Sequence, residues 1–363
     1  MRERQFVVGP NASGKSNFLD LFRFIRDIAK LEGGGLQKAL KDRGGVSKIR
    51  SLAARKDPEI SIEASLAEAP SEEPMWRYAL GIKQETRGLR LPIISYERVW
   101  LRSDLILERP DKDDKSDSAR LTQTFLEQIG ANANFRDIAR FFQSVTYLHL
   151  VPQLLRHADV IQGRIVEDDP FGQSFLEKVA TSSEKTRKSR LASIEKALKI
   201  AVPQLQQLQF TRDKNGRPHL QALYSHWRPK AGWQQEDQFS DGTLRLIGLL
   251  WSLLEGDTLL LLEEPELSLN SGIVSQLAPL IFRLQRPRKR QVIISTHSEA
   301  LLTDPGIDGR EVLLLMPDIE GTKIELVSDM SDVRALLEAG LTVGEAVLPK
   351  TRPSNAKQLT LTI

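Results

Sequence analysis

The sequence contains no cysteine, which excludes disulfides, thiolate nucleophiles and cysteine-ligated zinc. Aromatic residues are sparse at 6%, and no apolar run approaches the roughly 20 residues that a membrane-spanning helix needs. No secretory leader is expected, because Met1-Arg2-Glu3-Arg4 is followed by too short an apolar stretch. Neither sign of charge dominates: the net charge is +3, so any nucleic-acid footprint has to be local. These absences point to the cytoplasm and to no membrane contact. What is present is an ordinary globular composition, 40% hydrophobic and 27% charged over 363 residues. That is enough for one large core or two modest ones.

A short apolar run ending at Val7-Val8 leads into Gly9-Pro10-Asn11-Ala12-Ser13-Gly14-Lys15-Ser16-Asn17. The pattern G-x-x-x-x-G-K-S is that of a phosphate-binding loop, in which small residues let successive backbone N–H groups face an anion at a helix N-terminus. Lys15 is expected to reach the β- and γ-phosphates and Ser16 to give its hydroxyl to Mg²⁺. The apolar positions from Phe18 to Ile28 predict an amphipathic helix over Lys15–Ala29.

Alternating segments at Glu59–Leu66, Trp76–Lys83 and Ile93–Leu101 predict an antiparallel arm. The polar stretch Pro110–Ala119 reads as a mobile loop. A mainly helical stretch, Leu121 to Leu208, holds one short buried strand within Val145–Val151. A hairpin is expected over Gln209–Tyr224, turning at Asn215-Gly216. Beyond Phe239, apolar strands alternate with helices at Thr258–Leu262, Gln291–Ser295 and Glu311–Met316, the texture of a parallel α/β sheet.

Three of these later segments carry chemistry. Leu259–Leu262 is a buried strand that delivers Glu263, Glu264 and Glu266 at its C-terminal end, where ligands bind in parallel sheets. One carboxylate there suits the Mg²⁺ shell and the next suits polarising an attacking water. Gln291–His297 is a second such strand, and His297 at its end can contact a γ-phosphate. Phe239-Ser240-Asp241-Gly242-Thr243 precedes the apolar helix Leu246–Leu254, with Ser240 or Asp241 as N-cap, and so offers a second anion-binding helix N-terminus.

In this order, GPNASGKSNFLD, FSDGTLRL, EEPELSLN and QVIISTHSEALL resemble ABC-type ATPase heads. More closely, they are similar to the RecF/SMC/OLD-like branch often labelled "predicted AAA-family ATPase". The resemblance extends to Tyr147–Arg156 and Leu336–Leu348, so it covers most of the chain. It implies an α/β P-loop NTPase fold with a mainly parallel central sheet, an antiparallel β arm and a helical insertion. The implied organisation is a single composite head. Its parts are the P-loop and first helix (1–32), the β arm and loop (33–120), a helical subdomain with hairpin (121–238), a signature, Walker B and switch-histidine lobe (239–330) and a tail (331–363).

The resemblance also implies ATP and Mg²⁺ as cofactors and a homodimer that closes on two ATP molecules. In it Ser240, Asp241, Gly242 and Thr243 serve the nucleotide of the other copy. Glu263 assists Mg²⁺, Glu264 is the general base and His297 the switch histidine. Gln153 stands as a candidate for the glutamine that reaches the metal. Glu263 replaces the more usual Asp, and Asn270 stands where relatives often carry His or Asp. Only Met1–Val8 precede the loop, so the N-terminal edge strands look truncated and adenine contacts are expected to be weak. Two function classes follow. One is an ATPase that controls a DNA-associated process or a nuclease or toxin effector, in DNA repair or anti-phage defence. The other is an ATP-gated DNA clamp or scaffold with negligible turnover. The segment after His297 lacks the carboxylates of a fused nuclease, and the basic clusters Lys185–Arg190 and Arg286–Arg290 are the candidate contacts to double-stranded DNA.

Overall fold

The structure, a computed structural model, describes residues 1–51, 59–70, 72–85, 90–157, 169–227 and 232–353. Strand β1 (Arg4–Val8) leads into the phosphate loop. The arm follows as β2 (Ile60–Leu66), β3 (Trp76–Gln84), β4 (Pro92–Leu101) and β5 (Asp104–Arg109). After β6 (Thr146–Leu148) come β7 (Leu205–Arg212), β8 (Pro218–Tyr224) and β9 (Trp233–Gln235). The last strands are β10 (Leu260–Glu263), β11 (Val292–Thr296), β12 (Val312–Asp318) and β13 (Gly321–Leu326). The central sheet has the order β13-β12-β1-β11-β10-β6, and β12, β1, β11, β10 and β6 pair in parallel. This is the mostly parallel α/β sheet that the alternation of strands and helices predicts, and the P-loop NTPase fold that the resemblance implies.

Packing divides the chain into two compact units. One contains Glu3–Pro10, Thr146–Leu314 and the described residues from Glu325 on. Its core strands β1, β10 and β11 are buried at nearly every position, as parallel strands covered on both faces must be. The helix Asp241–Leu254 buries Leu244, Ile247, Leu250 and Trp251. The expected hairpin forms as β7–β8, and β9 completes a small antiparallel sheet. The stretch expected to be mainly helical carries Pro152–Arg156, Phe175–Thr181 and Glu184–Ala201, with β6 as the short strand. The tail is helical at Ser331–Glu338 and Val343–Thr351, and residues 354–363 lie outside the described residues.

The other unit contains Met1–Arg2, Asn11–Val145 and Leu315–Ile324. Here the apolar face of Lys15–Ala29 (Phe24, Ile25, Ile28) shares one core with Tyr78, Leu80, Ile82, Ile94 and Val99 of the arm and with Ile138 and Phe142. The arm sheet runs β2-β3-β4-β5 and is antiparallel throughout. Two features differ from the sequence reading. Strand β5 was not expected; its pattern does not alternate, because it lies at the sheet edge with Leu105 exposed. Pro110–Ala119 is not an irregular loop. Lys112–Ser116 is a short helix with an Asp111 capping box, and Asp114 is buried. The reason is pairing: Asp114 receives both forks of Arg109 at 2.9 Å, so a polar segment is ordered by charges it encloses.

Glu127 in this unit accepts the backbone N–H of Leu36 at 2.6 Å, at the start of the helix Leu36–Asp42. Burial, helped by the nearby Glu97 charge, pushes its carboxyl up to about 7. Because the folded value lies above the unfolded one, its contribution to stability is complete at acid pH and is lost as pH rises through about 7. Glu127→Gln should therefore flatten the pH dependence of unfolding between about pH 5 and pH 8, and should gain of order 1 kcal/mol at the alkaline end. Denaturant melts of the full chain across that range check it, and parallel curves for the two proteins would count against it.

Candidate functional site

The phosphate loop takes the backbone that its residues allow. Ala12 and Gly14 adopt φ of 61° and 91°, and the helix begins at Lys15 with Gly14 as its N-cap and no side-chain cap. Phe18 N–H donates to the Gly14 carbonyl at 2.8 Å, closing the first turn. Lys15 is only 8% exposed. Thr322 of β13 was not foreseen: its hydroxyl donates to the Ser13 carbonyl at 3.0 Å. A Cβ on Gly14 would lie 3.1 Å from that hydroxyl oxygen, so the position needs glycine for its positive φ and for this approach. No local pattern could have announced a contact spanning more than three hundred residues.

Strand register puts the chemistry of the later motifs on one sheet edge. Val8 is level with Thr296, and Glu263 is level with Ser295. The loop's first residues, Gly9 and Pro10, therefore issue from the same C-terminal edge as the acids and the Ser-Thr-His segment. Glu263 accepts a hydrogen bond from the Tyr147 hydroxyl on β6, and His149 Nδ1 donates to the Glu263 carbonyl at 3.3 Å. Tyr147 thus engages a carboxylate that reaches one methylene further than the usual Asp.

Glu264 sits at φ 44°, a left-handed conformation that costs a non-glycine residue of order 1 kcal/mol. Its N–H donates to the Ser295 carbonyl at 3.0 Å, which fixes the turn. His297 Nδ1 donates to Glu264 Oε1 at 3.0 Å, and the His297 side chain is 51% exposed. Behind this pair, Glu266 is buried and accepts from the Thr296 hydroxyl.

The signature segment is a capped helix N-terminus. Ser240 is the N-cap and accepts from Thr243 N–H at 3.2 Å. A Cβ on Gly242 would fall 2.7 Å from the Ser268 carbonyl, so this backbone approach requires glycine. Asp241 is held by Arg156 at 2.6 Å and by Gln153 Nε2 at 2.8 Å. The structure thus places Gln153 on Asp241, as part of the short helix that the segment YLHLVPQLLR contributes. Asn270 caps Ser271–Val274, accepting Gly272 N–H at 2.9 Å.

Several members of the basic clusters have partners within the fold. Arg187 donates to the carbonyls of Ala180 and Ser182, Lys188 pairs with Glu184, and Arg190 pairs with Glu255. Arg290 is 2% exposed and donates to the carbonyls of Ser252, Glu255 and Thr258, with burial lowering its guanidinium to about 10. Arg288 donates to the Leu253 carbonyl. Several of these cations therefore close helix ends instead of standing free on a surface. Among the described residues no group of three or more His, Asp or Glu could by itself hold a metal ion. No described helix is long and apolar enough to cross a membrane.

A parallel sheet with a phosphate loop, an acid-tipped strand, a Ser-Thr-His strand end and a capped signature helix is the architecture of a P-loop ATPase head. The chain belongs to the family described as "AAA domain, putative AbiEii toxin, Type IV TA system", whose model matches residues 6–303. Among solved structures it is similar to an Smc head bound to the C-winged helix domain of ScpA. Identity there is 13% and the TM-score 0.51, over 90% of this chain and 91% of that one. An Smc head with an extended coiled coil, bound to the C-terminal domain of ScpA from Pyrococcus furiosus, matches at 14% identity and TM-score 0.46, over 93% and 94%. The SMC head domain of Thermotoga maritima matches at 15% and 0.39, over 90% of each chain. No protein of curated function matches.

Proposed function

We propose that this chain is a Mg²⁺-dependent ATPase whose two copies close head to head around two ATP molecules, and that this cycle controls a partner effector such as a nuclease or toxin. The observation that carries the reading is the Glu264–His297 hydrogen bond at 3.0 Å, a base and its orienting imidazole at the C-terminal edge of the sheet. The family description, which names a putative toxin and a type IV TA system, supports a place in a toxin system. The internal engagement of Arg187, Arg190, Arg288 and Arg290 favours a protein effector over direct grip on DNA.

In this reading the loop Gly9–Asn17 cradles the phosphates and Lys15 neutralises them. Ser16 and Glu263 offer the hard oxygen donors that suit Mg²⁺, an ion that usually keeps waters and phosphate oxygens as its other ligands. When bound, Mg²⁺ supplies charge neutralisation of the β- and γ-phosphates. Glu264 takes the proton of the attacking water, and His297 keeps the carboxylate aimed. Ser240–Thr243 presents backbone N–H groups to the γ-phosphate held by the second copy.

Mixing two defective chains tests this arrangement. Lys15→Ala spoils the phosphate loop and Ser240→Arg spoils the signature, so each alone should be inactive. In an isologous dimer the mixed pair rebuilds one intact site, and an equimolar mixture should recover about a quarter of wild-type phosphate release. A mixture as inactive as its components would overturn the composite site.

A further inference from the structure

Arg245 lies one turn into the signature helix and is 7% exposed, yet among the described residues it makes no ion pair and its Nε has no hydrogen-bond partner. The carboxylates whose charge it feels are Asp241, Glu266 and Glu264. Glu266 is its counterpart: 6% exposed, with Oε1 engaged by the Thr296 hydroxyl and Oε2 buried without a partner. Burial holds the Arg245 guanidinium below its ordinary value and lifts the Glu266 carboxyl. Two opposite charges buried near each other but unpaired are costly, and the arrangement is relieved if they meet.

What Glu266 holds on its other side gives the pairing a purpose. The Thr296 hydroxyl that donates to Glu266 also accepts the N–H of Ser298 at 3.0 Å. That hydroxyl therefore staples together the two residues flanking His297, and Glu266 anchors the staple. His297 in turn donates to Glu264. One chain of contacts thus runs from Glu266 through Thr296 and Ser298 to His297 and Glu264. The signature helix packs on the loop that carries Glu266: a Cβ on Gly242, one turn before Arg245, would lie 2.7 Å from the Ser268 carbonyl oxygen.

We propose that Arg245 and Glu266 are positioning residues that couple the signature helix to the Glu264–His297 pair, through an Arg245–Glu266 ion pair that closes when the helix N-terminus takes up a phosphate. Closing the pair tightens the staple and fixes His297, so the base is aimed only when the signature is engaged. The inference rests on the composite ATP site proposed above and adds to it a reason why turnover waits for engagement.

The test compares full-length Arg245→Met, Glu266→Gln, the double variant and Arg245→Lys, by ATP turnover and by binding of a fluorescent ATP analogue. Turnover should fall about tenfold or more in each neutral single variant, with analogue affinity within about twofold of wild type. The double variant should be no slower than the worse single, and Arg245→Lys should retain most of the rate. A purely structural role would instead lower binding and turnover together. Should Arg245→Met fail to fold, the double variant, which leaves neither charge buried, carries the comparison against Arg245→Lys. Wild-type turnover in the double variant, or losses that multiply in it, would overturn the coupling. A wild-type chain that binds the analogue without any turnover would overturn the ATPase reading itself, and the coupling with it.

Discussion

Replacing Glu264 by glutamine should lower ATP hydrolysis by about two to four orders of magnitude, the usual range for losing a positioned general base. The substitution is a narrow one. Glutamine keeps the length of the side chain and can still accept the His297 Nδ1–H bond that spans 3.0 Å in the wild type. The turn at φ 44° and the bond from residue 264 N–H to the Ser295 carbonyl belong to the backbone and stay as they are. What is lost is basicity alone. ATP should bind as before, and the closed dimer should accumulate because the step that opens it is blocked. Single-turnover phosphate release read beside sizing in ATP separates the two effects. Equal release rates for the two proteins would shift the assignment to a clamp in which binding, not hydrolysis, does the work.

Arg109→Ala should destabilise the chain by about 3–5 kcal/mol, the usual cost of stranding buried charges. The Arg109, Glu97 and Asp114 side chains are all 0% exposed. Arg109 bonds both oxygens of Asp114 at 2.9 Å, Glu97 at 3.0 Å and the carbonyls of Gln123 and Arg120, and its guanidinium stacks 3.8 Å from the Phe125 ring. Glu97 also accepts from the Tyr78 hydroxyl and from the N–H groups of Phe125 and Leu126. The guanidinium holds Asp114 well below the carboxylate range, whereas burial lifts Glu97. Removing Arg109 leaves two carboxylates in the core, and Glu97→Gln/Asp114→Asn on that background should recover much of the loss. Denaturant unfolding of the three proteins measures both changes. An Arg109→Ala chain within about 1 kcal/mol of wild type would show that the cluster is dispensable.

The motifs were legible because each is written in consecutive residues whose backbone demands are local. Gly14 permits the left-handed turn, Ser240 caps its own helix, and Leu260–Leu262 must be a buried strand whatever surrounds it. The arm strands announced themselves by alternation, except for β5, whose edge position leaves no alternation to read. Charged segments were read least well. Pro110–Ala119 reads as a mobile loop, yet Asp114 within it pairs with Arg109. Arg290, in a cluster read as a candidate DNA contact, donates to three backbone carbonyls.

By itself, then, the sequence determined the class of machine: the loop, the acids, the histidine and the signature in the order of an ATPase head, on a parallel α/β sheet. How those parts are held follows from contacts made across the folded chain. Tyr147 on Glu263, Thr322 on Ser13, and Arg156 on Asp241 all join distant stretches of chain. Periodicity records which face of an element avoids water, but it carries no record of which remote side chain will lie against that face. Hydrogen bonds and ion pairs between distant residues exist only once the chain has closed around them.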